Sequence, residues 1–139
     1  MKIEYDNEEI KSLVGATPRE LADAIAEILD NKKGKDVKVI EVGDKTIIAD
    51  YFVLANGNTN THVRALADEV EYQLEEAGLR PDHVEGRATG WILLDYGAVL
   101  VHVFTRETRE YYNLDMIISI GFRVNSKNKR RLALLKFRL

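Results

Sequence analysis

Residues 82–105 read Asp82-His83-Val84-Glu85-Gly86-Arg87-Ala88-Thr89-Gly90-Trp91-Ile92-Leu93-Leu94-Asp95-Tyr96-Gly97-Ala98-Val99-Leu100-Val101-His102-Val103-Phe104-Thr105. Two apolar runs, Trp91 to Leu94 and Val99 to Phe104, flank Asp95-Tyr96-Gly97-Ala98, where Gly97 can take the positive φ that a tight hairpin turn demands. The pattern predicts a central antiparallel hairpin. Because apolar residues run almost unbroken through both strands, both sheet faces should be covered, with helices on at least one side. Trp91, the only tryptophan, opens the first strand. There it serves either as a recognition anchor at the surface or as a large aromatic filling the core, and both readings stay open at this point.

Upstream of the hairpin, Thr17-Pro18-Arg19-Glu20 combines an N-cap hydroxyl, proline at the first helical position and a carboxylate three residues after the cap. Leu21, Ala24, Ile25, Ile28 and Leu29 follow at helical spacing, and the polar stretch from Asp30 to Lys35 ends the helix. Val37, Val39 and Val42 suggest a strand, Gly43-Asp44-Lys45 a turn, and Ile47 to Ala55 a second strand. Asn56 to Asn60 caps a second helix whose apolar residues Val63, Leu66, Ala67, Val70, Leu74 and Ala77 run to Gly78. That glycine is a C′ residue, with Leu79 available for the accompanying apolar contact. After the hairpin, Arg106 to Leu114 reads as a short third helix or turn. The order α-β-β-α-β-β-β, with a strand at His83 to Glu85, predicts an α/β fold built on one mixed sheet flanked by helices.

A chain of 139 residues accommodates one domain and one core. Hydrophobic content of 45% and charged content of 31% are those of a soluble globular protein. The longest apolar run falls far short of the roughly 20 residues that cross a bilayer, so no membrane role is expected. The chain contains no cysteine, which excludes disulfides, thiolate catalysis and cysteine-based zinc sites. The acidic N-terminus lacks the apolar core of a signal peptide, and a cytoplasmic protein is expected.

The net charge of −3 hides an uneven distribution, since all 23 acidic residues lie at or before Asp115 and seven of the 20 basic ones lie between Arg123 and Arg138. Residues 1–120 carry 13 − 23 = −10, and the remainder carries +7. Such an arm can touch phosphate backbone, stay solvated, or pack on the acidic body through Leu132, Leu134, Leu135, Phe137 and Leu139. No aromatic ladder for base stacking accompanies the charge, which favours the latter two readings.

Candidate catalytic groups do not assemble into a constellation. His62, His83 and His102 stand singly, with no i,i+4 pair to hold a metal on one helix face. His102, between Val101 and Val103, reads as a hydrogen-bonded structural histidine. Asn56-Gly57-Asn58-Thr59-Asn60 resembles a phosphate-binding strand-loop-helix junction but lacks the glycine spacing and lysine of a P-loop. Asp50 and Asp95 are isolated on their strands, so the carboxylate pair that metal-dependent nucleotidyl transfer requires is missing. No serine sits in a nucleophile motif. Neither a catalytic residue, a metal site nor a cofactor is expected, and a binding protein is favoured.

The blocks Glu20-Leu21-Ala22, Asp30 to Asp36, Ile48-Ala49-Asp50-Tyr51-Phe52-Val53, Asn60 to Asp68, Glu85-Gly86 and Gly90 to Gly97 resemble the Iojap family of ribosomal silencing factors. Val101-His102-Val103-Phe104, Arg109 and Tyr112-Asn113-Leu114-Asp115 continue the resemblance over residues 17–115, leaving 1–16 as an N-terminal extension and 116–139 as a basic C-terminal tail. The resemblance implies a sheet related to the nucleotidyltransferase fold without its catalytic carboxylates. It also implies binding to the large ribosomal subunit through large-subunit protein fourteen, a steric block on small-subunit joining when nutrients are scarce, and a homodimer when free. Organellar relatives imply large-subunit assembly as an alternative using the same surface. Carried onto this chain, the partner-binding residues are Glu85, Gly86, Trp91, Leu93, Asp95 and Tyr96. Strand alternation puts Trp91, Leu93 and Asp95 on one face, and Ile92, Leu94 and Tyr96 on the other.

The sequence departs from the family pattern at Ala98, where an acidic residue is usual, and at Thr46, where serine is usual. The larger departure follows Asp115. The family commonly continues there into a leucine-tryptophan pair and a short acidic end, whereas this chain runs through Met116-Ile117-Ile118 into the basic tail, a candidate for ribosomal RNA contact.

Overall fold

A computed structural model of the chain describes residues 12–44, 49–87 and 90–112. The basic tail, most of the N-terminal extension, the first residues of the expected second strand and the Asn113-Leu114 end of the expected third helix lie outside the described residues. The elements in chain order are α1 (Pro18–Asn31), β1 (Lys35–Glu41), β2 (Tyr51–Gly57), α2 (Asn60–Glu76), β3 (His83–Glu85), β4 (Trp91–Asp95), β5 (Val99–Thr105) and α3 (Arg106–Tyr112). The expected order α-β-β-α-β-β-β is therefore reproduced, followed by the short helix.

Helix α1 begins as its sequence requires. Glu20 N–H donates to Thr17 Oγ1 at 3.1 Å, and Thr17 N–H donates to Glu20 Oε1 at 2.9 Å, a reciprocal capping box with Pro18 at the first helical position. Helix α2 starts behind the N-cap Thr59, whose hydroxyl accepts from His62 N–H at 3.1 Å. It stops at Gly78, where φ is +97°. Leu79 N–H reaches back to Leu74 O at 2.8 Å and Gly78 N–H to Glu75 O at 3.0 Å, the paired bonds of a Schellman ending. The expected second strand, Ile47 to Ala55, differs at both ends: it begins only at Tyr51, with Ala49 and Asp50 outside it. β2 extends through Asn56 and Gly57, which composition had assigned to a loop, because parallel pairing carries the strand to the end of β5 with Asn56 opposite Phe104 and Gly57 opposite Thr105.

The five strands form one mixed sheet in the order β1-β2-β5-β4-β3. β2 and β5 run parallel, and the other neighbours run antiparallel. The predicted hairpin is β4–β5, with β5 in the middle of the sheet. Helices α1 and α2 both lie on one face, where Leu21, Ile25, Leu29, Val63, Leu66, Val70 and Leu74 meet Val53, Ala55, Ile92, Leu94, Val101 and Val103. The opposite face carries a second apolar cluster: Val42, Ala49, Phe52, Leu54, Trp91, Leu93, Leu100 and Phe104, with Ile40 beside it. The period-2 alternation of side chains along β2, β4 and β5 thus divides two cores between the two faces. Among the described helices, only α3 reaches the second face, at one end.

Candidate partner-binding site

The hairpin that organises the sheet also positions the candidate site. Gly97 adopts φ +84°. Tyr96 N–H donates to Val99 O at 2.9 Å to close the turn, while Asp95 Oδ1 accepts from Gly97 N–H at 2.8 Å. This turn sets the register that pairs Asp95 with Leu100, Leu93 with His102 and Trp91 with Phe104. On the other side of β4, the short edge strand β3 pairs His83 with Asp95 and Glu85 with Leu93. Asp82 N–H adds a further bond to Asp95 O at 2.7 Å.

Trp91, Leu93 and Asp95 share the second face, as strand alternation predicted, and all three are buried, at 3%, 5% and 3% exposure. For Trp91 this matches the core reading and not an open surface anchor. Its indole N–H donates to His102 Nδ1 at 3.1 Å, which makes Nδ1 the acceptor nitrogen of the imidazole in this arrangement. His102 is the hydrogen-bonded strand histidine that the sequence suggested. Its ring lies 4.8 Å from that of Phe52 and 5.8 Å from that of Trp91, and Trp91 lies 5.4 Å from Phe104, all at tilted angles. Tilted pairs like these avoid the face-to-face sandwich that the aromatic quadrupole disfavours. The centre of the second face is therefore an interlocked aromatic cluster.

The remaining candidates sit at the rim. Glu85 and Gly86 are half-buried where β3 ends, with Gly86 at φ +83°. Arg87, the next residue, reaches across to α2 and binds Glu71 Oε1 at 2.6 Å and Asp68 Oδ1 at 3.3 Å, and the Glu71 carboxylate foremost holds its guanidinium above the usual arginine range. Tyr96 points to the helix-side core, where its hydroxyl oxygen is buried with no hydrogen-bond partner among the described residues. Burial pushes this phenol well up, the nearby Glu71 carboxylate adds to the rise, and Arg87 opposes it. The six candidates are thus contiguous along β3, β4 and the hairpin turn, but they occupy two faces and different depths.

The structure adds a network that sequence reading had not drawn. Arg109 on α3 is buried, and its Nη1 donates to Asn56 Oδ1 at 2.8 Å and to Asp36 O at 2.9 Å. Asn56 Nδ2 in turn donates to Asp36 Oδ2 at 3.3 Å, and the guanidinium stands 5.5 Å from the centroid of the Phe104 ring. The start of β1, the end of β2 and α3 are tied together there. The only sequence signal was an arginine inside the block Arg109 to Asp115. At the Asn56 to Asn60 junction, local contacts occupy several amides: Asn58 N–H donates to His62 Nδ1 at 2.9 Å and Val63 N–H to Thr59 O at 2.9 Å. Among the described residues, no group of three or more histidine, aspartate or glutamate side chains stands close enough to hold a metal ion. No described helix is long and apolar enough to cross a membrane.

A turn-pinned hairpin carrying an aromatic face, backed by two helices packed on the reverse side, defines a single-sheet α/β domain. Its relatives name the family. The sequence profile described as "Ribosomal silencing factor during starvation" matches residues 15–131, and the chain belongs to that family. The match runs beyond Asp115, where the resemblance carried by the sequence blocks ends. The chain is 36% identical to the ribosomal silencing factor RsfS of Bacillus subtilis over 89 residues, covering 63% of this chain and 75% of that one. The mouse protein named "Mitochondrial assembly of ribosomal large subunit protein 1" is 28% identical over 99 residues, and the matched part is 43% of its length. Among solved structures, a protein of Chromobacterium violaceum superposes with a TM-score of 0.72 at 32% identity, covering 74% of this chain and 87% of that chain. One from Bacillus halodurans superposes at 0.64 and 33% identity, covering 71% and 93%. The family is named for an effect on the ribosome, not for a reaction.

Proposed function

We propose that this chain is a non-enzymatic silencing factor that binds the large ribosomal subunit through large-subunit protein fourteen and sterically blocks joining of the small subunit, lowering translation when nutrients are limiting. The family match over residues 15–131 carries this reading, because it takes in every strand of the sheet and the whole hairpin region. The proposed contact surface is Glu85, Gly86, Trp91, Leu93, Asp95 and Tyr96, and a homodimer is the proposed free state. Charge supports a protein partner: residues 1–120 carry −10, which ribosomal RNA repels and basic ribosomal proteins attract. The +7 of the remaining residues is the proposed source of any RNA contact.

Sedimentation of purified subunits through sucrose gradients tests the reading. The wild-type chain should co-migrate with large subunits and reduce the population of subunit couples, and Glu85→Lys, at the half-buried rim, should weaken both effects. If the wild type leaves joining untouched, the silencing reading fails. The name of the mouse relative supports a second reading, assembly of the large subunit through the same surface. Co-migration with immature large subunits, with joining of mature ones unaffected, would favour it.

A further inference from the structure

Arg87 stands two residues after Glu85, and regular strand geometry would bring their opposite charges together. Side chains at i and i+2 share a face and lie about 6.6 Å apart along a strand, within reach of an arginine. The fold separates them instead. Glu85 is opposite Leu93 in the β3–β4 register and so lies on the second face, where its carboxylate makes no ion pair among the described residues. Gly86, at φ +83°, breaks the alternation, and Arg87 turns to the helix side. There its Nη2 donates to Glu71 Oε1 at 2.6 Å and its Nη1 to Asp68 Oδ1 at 3.3 Å. The two carboxylates are neighbours one turn apart on α2, so a single guanidinium spans both.

We propose that Asp68 and Glu71 are positioning residues for partner binding: they hold Arg87 on the helix side, so that Glu85 faces the partner as an unneutralised carboxylate. The partner group recognised at that point is then a lysine or arginine side chain. The proposal rests on the silencing reading and deepens it by naming this chemistry.

Three observations favour it. Of the two carboxylates in the proposed contact surface, Asp95 is buried and accepts from Gly97 N–H, which leaves Glu85 at the half-buried rim as the charge that a cationic group can meet. The Glu71 side chain is only 24% exposed, so its pair with Arg87 is less screened by solvent than an open surface pair. Both charges of that pair also act on the phenol of Tyr96, whose ring packs against the helix-side core. The positive charge of Arg87 is thus spent behind the sheet, away from the rim.

The double variant Asp68→Asn/Glu71→Gln frees Arg87, and nuclear Overhauser contacts of its side chain should move from α2 protons to Glu85. Contacts that stay on α2, or that never reach Glu85, overturn the proposal. In titrations of purified large subunits with the full-length chain, the same variant should bind roughly two- to five-fold more weakly than wild type, the range of one ion pair at a wet rim. Adding Arg87→Gln should restore the affinity, since the cation that covers Glu85 is then gone. If the triple variant stays as weak as the double one, or the double one binds like wild type, the proposal fails. Glu75→Gln/Glu76→Gln removes the same charge from α2 without touching Arg87, and an equal loss there would assign the effect to net charge and overturn the proposal. Surface ion pairs contribute little to global stability, so urea midpoints should show every variant folded. If wild type does not bind large subunits at all, the silencing reading falls, and the Overhauser contacts still decide whether Asp68 and Glu71 keep Arg87 from Glu85.

Discussion

The indole N–H of Trp91 donates to Nδ1 of His102 across 3.1 Å, joining two strands inside the aromatic cluster that fills the second face. Both residues are buried. The contact separates two contributions of Trp91, its area and its polar handle. Trp91→Phe keeps most of the ring and leaves the imidazole acceptor unsatisfied, which should cost roughly 1–3 kcal/mol. Trp91→Ala also leaves a cavity and should cost about 3–5 kcal/mol. Urea titration of both variants measures the difference, and equal costs would show that ring packing contributes nothing.

Arg109 has two acceptors in its reach, Asn56 Oδ1 and Asp36 O. Both bonds leave Nη1, so a lysine ammonium could replace the donor, but it cannot replace the delocalised guanidinium that stands 5.5 Å from the centroid of the Phe104 ring. Arg109→Lys should therefore destabilise the fold by about 1–3 kcal/mol, and Arg109→Leu by at least as much, both seen as a lower urea midpoint with an unchanged slope. A neutral Arg109→Lys would show that one cationic donor suffices and the guanidinium plane is dispensable.

Tyr96 gives an alkaline signature. Its phenol is raised above the ordinary value of 10.0 chiefly by burial. Below pH about 10 the phenol is protonated both folded and unfolded, and its contribution to stability is complete. Above that pH the unfolded phenol ionises while the folded one keeps its proton, so stability falls as pH rises. Melting curves between neutral pH and pH about 11 should show a smaller alkaline loss for Tyr96→Phe than for wild type. Identical alkaline losses would assign the effect to other groups.

Gly97 holds φ +84° in the hairpin turn, and among the described residues a Cβ there would meet nothing closer than Asp82 Oδ2 at 3.9 Å. Space is available, so the cost of substitution is conformational. Gly97→Ala should lose about 1–2 kcal/mol, and Gly97→Asn less, since asparagine tolerates the left-handed region. Thermal melts of the two variants rank them, and a reversed order would refute the conformational account.

Local signals made much of this molecule legible. The Thr17-Pro18-x-Glu20 box, the Gly78-Leu79 ending and the Gly97 turn each specify backbone geometry within a few residues, so chain order and element type could be read directly. The Trp91–His102 contact was also within reach. Once the turn pairs Asp95 with Leu100, β4 and β5 register follows residue by residue, and Trp91 becomes the diagonal neighbour of His102 on one face. By contrast, the polar look of Asn56 and Gly57 misled, because their strand character comes from pairing with Phe104 and Thr105 in β5.

The sequence by itself determined the elements, their order, the two-faced alternation of the hairpin and the family. Each of these depends on short-range stereochemistry or on side-chain pattern. Only the tertiary structure decided the order β1-β2-β5-β4-β3, the gathering of α1 and α2 on one face, the Arg109 network across 73 residues of chain to Asp36, and the depth of Trp91. These depend on which nonlocal pairing buries the most apolar surface while satisfying every strand's hydrogen bonds, a balance settled over the whole sheet and not within any one segment.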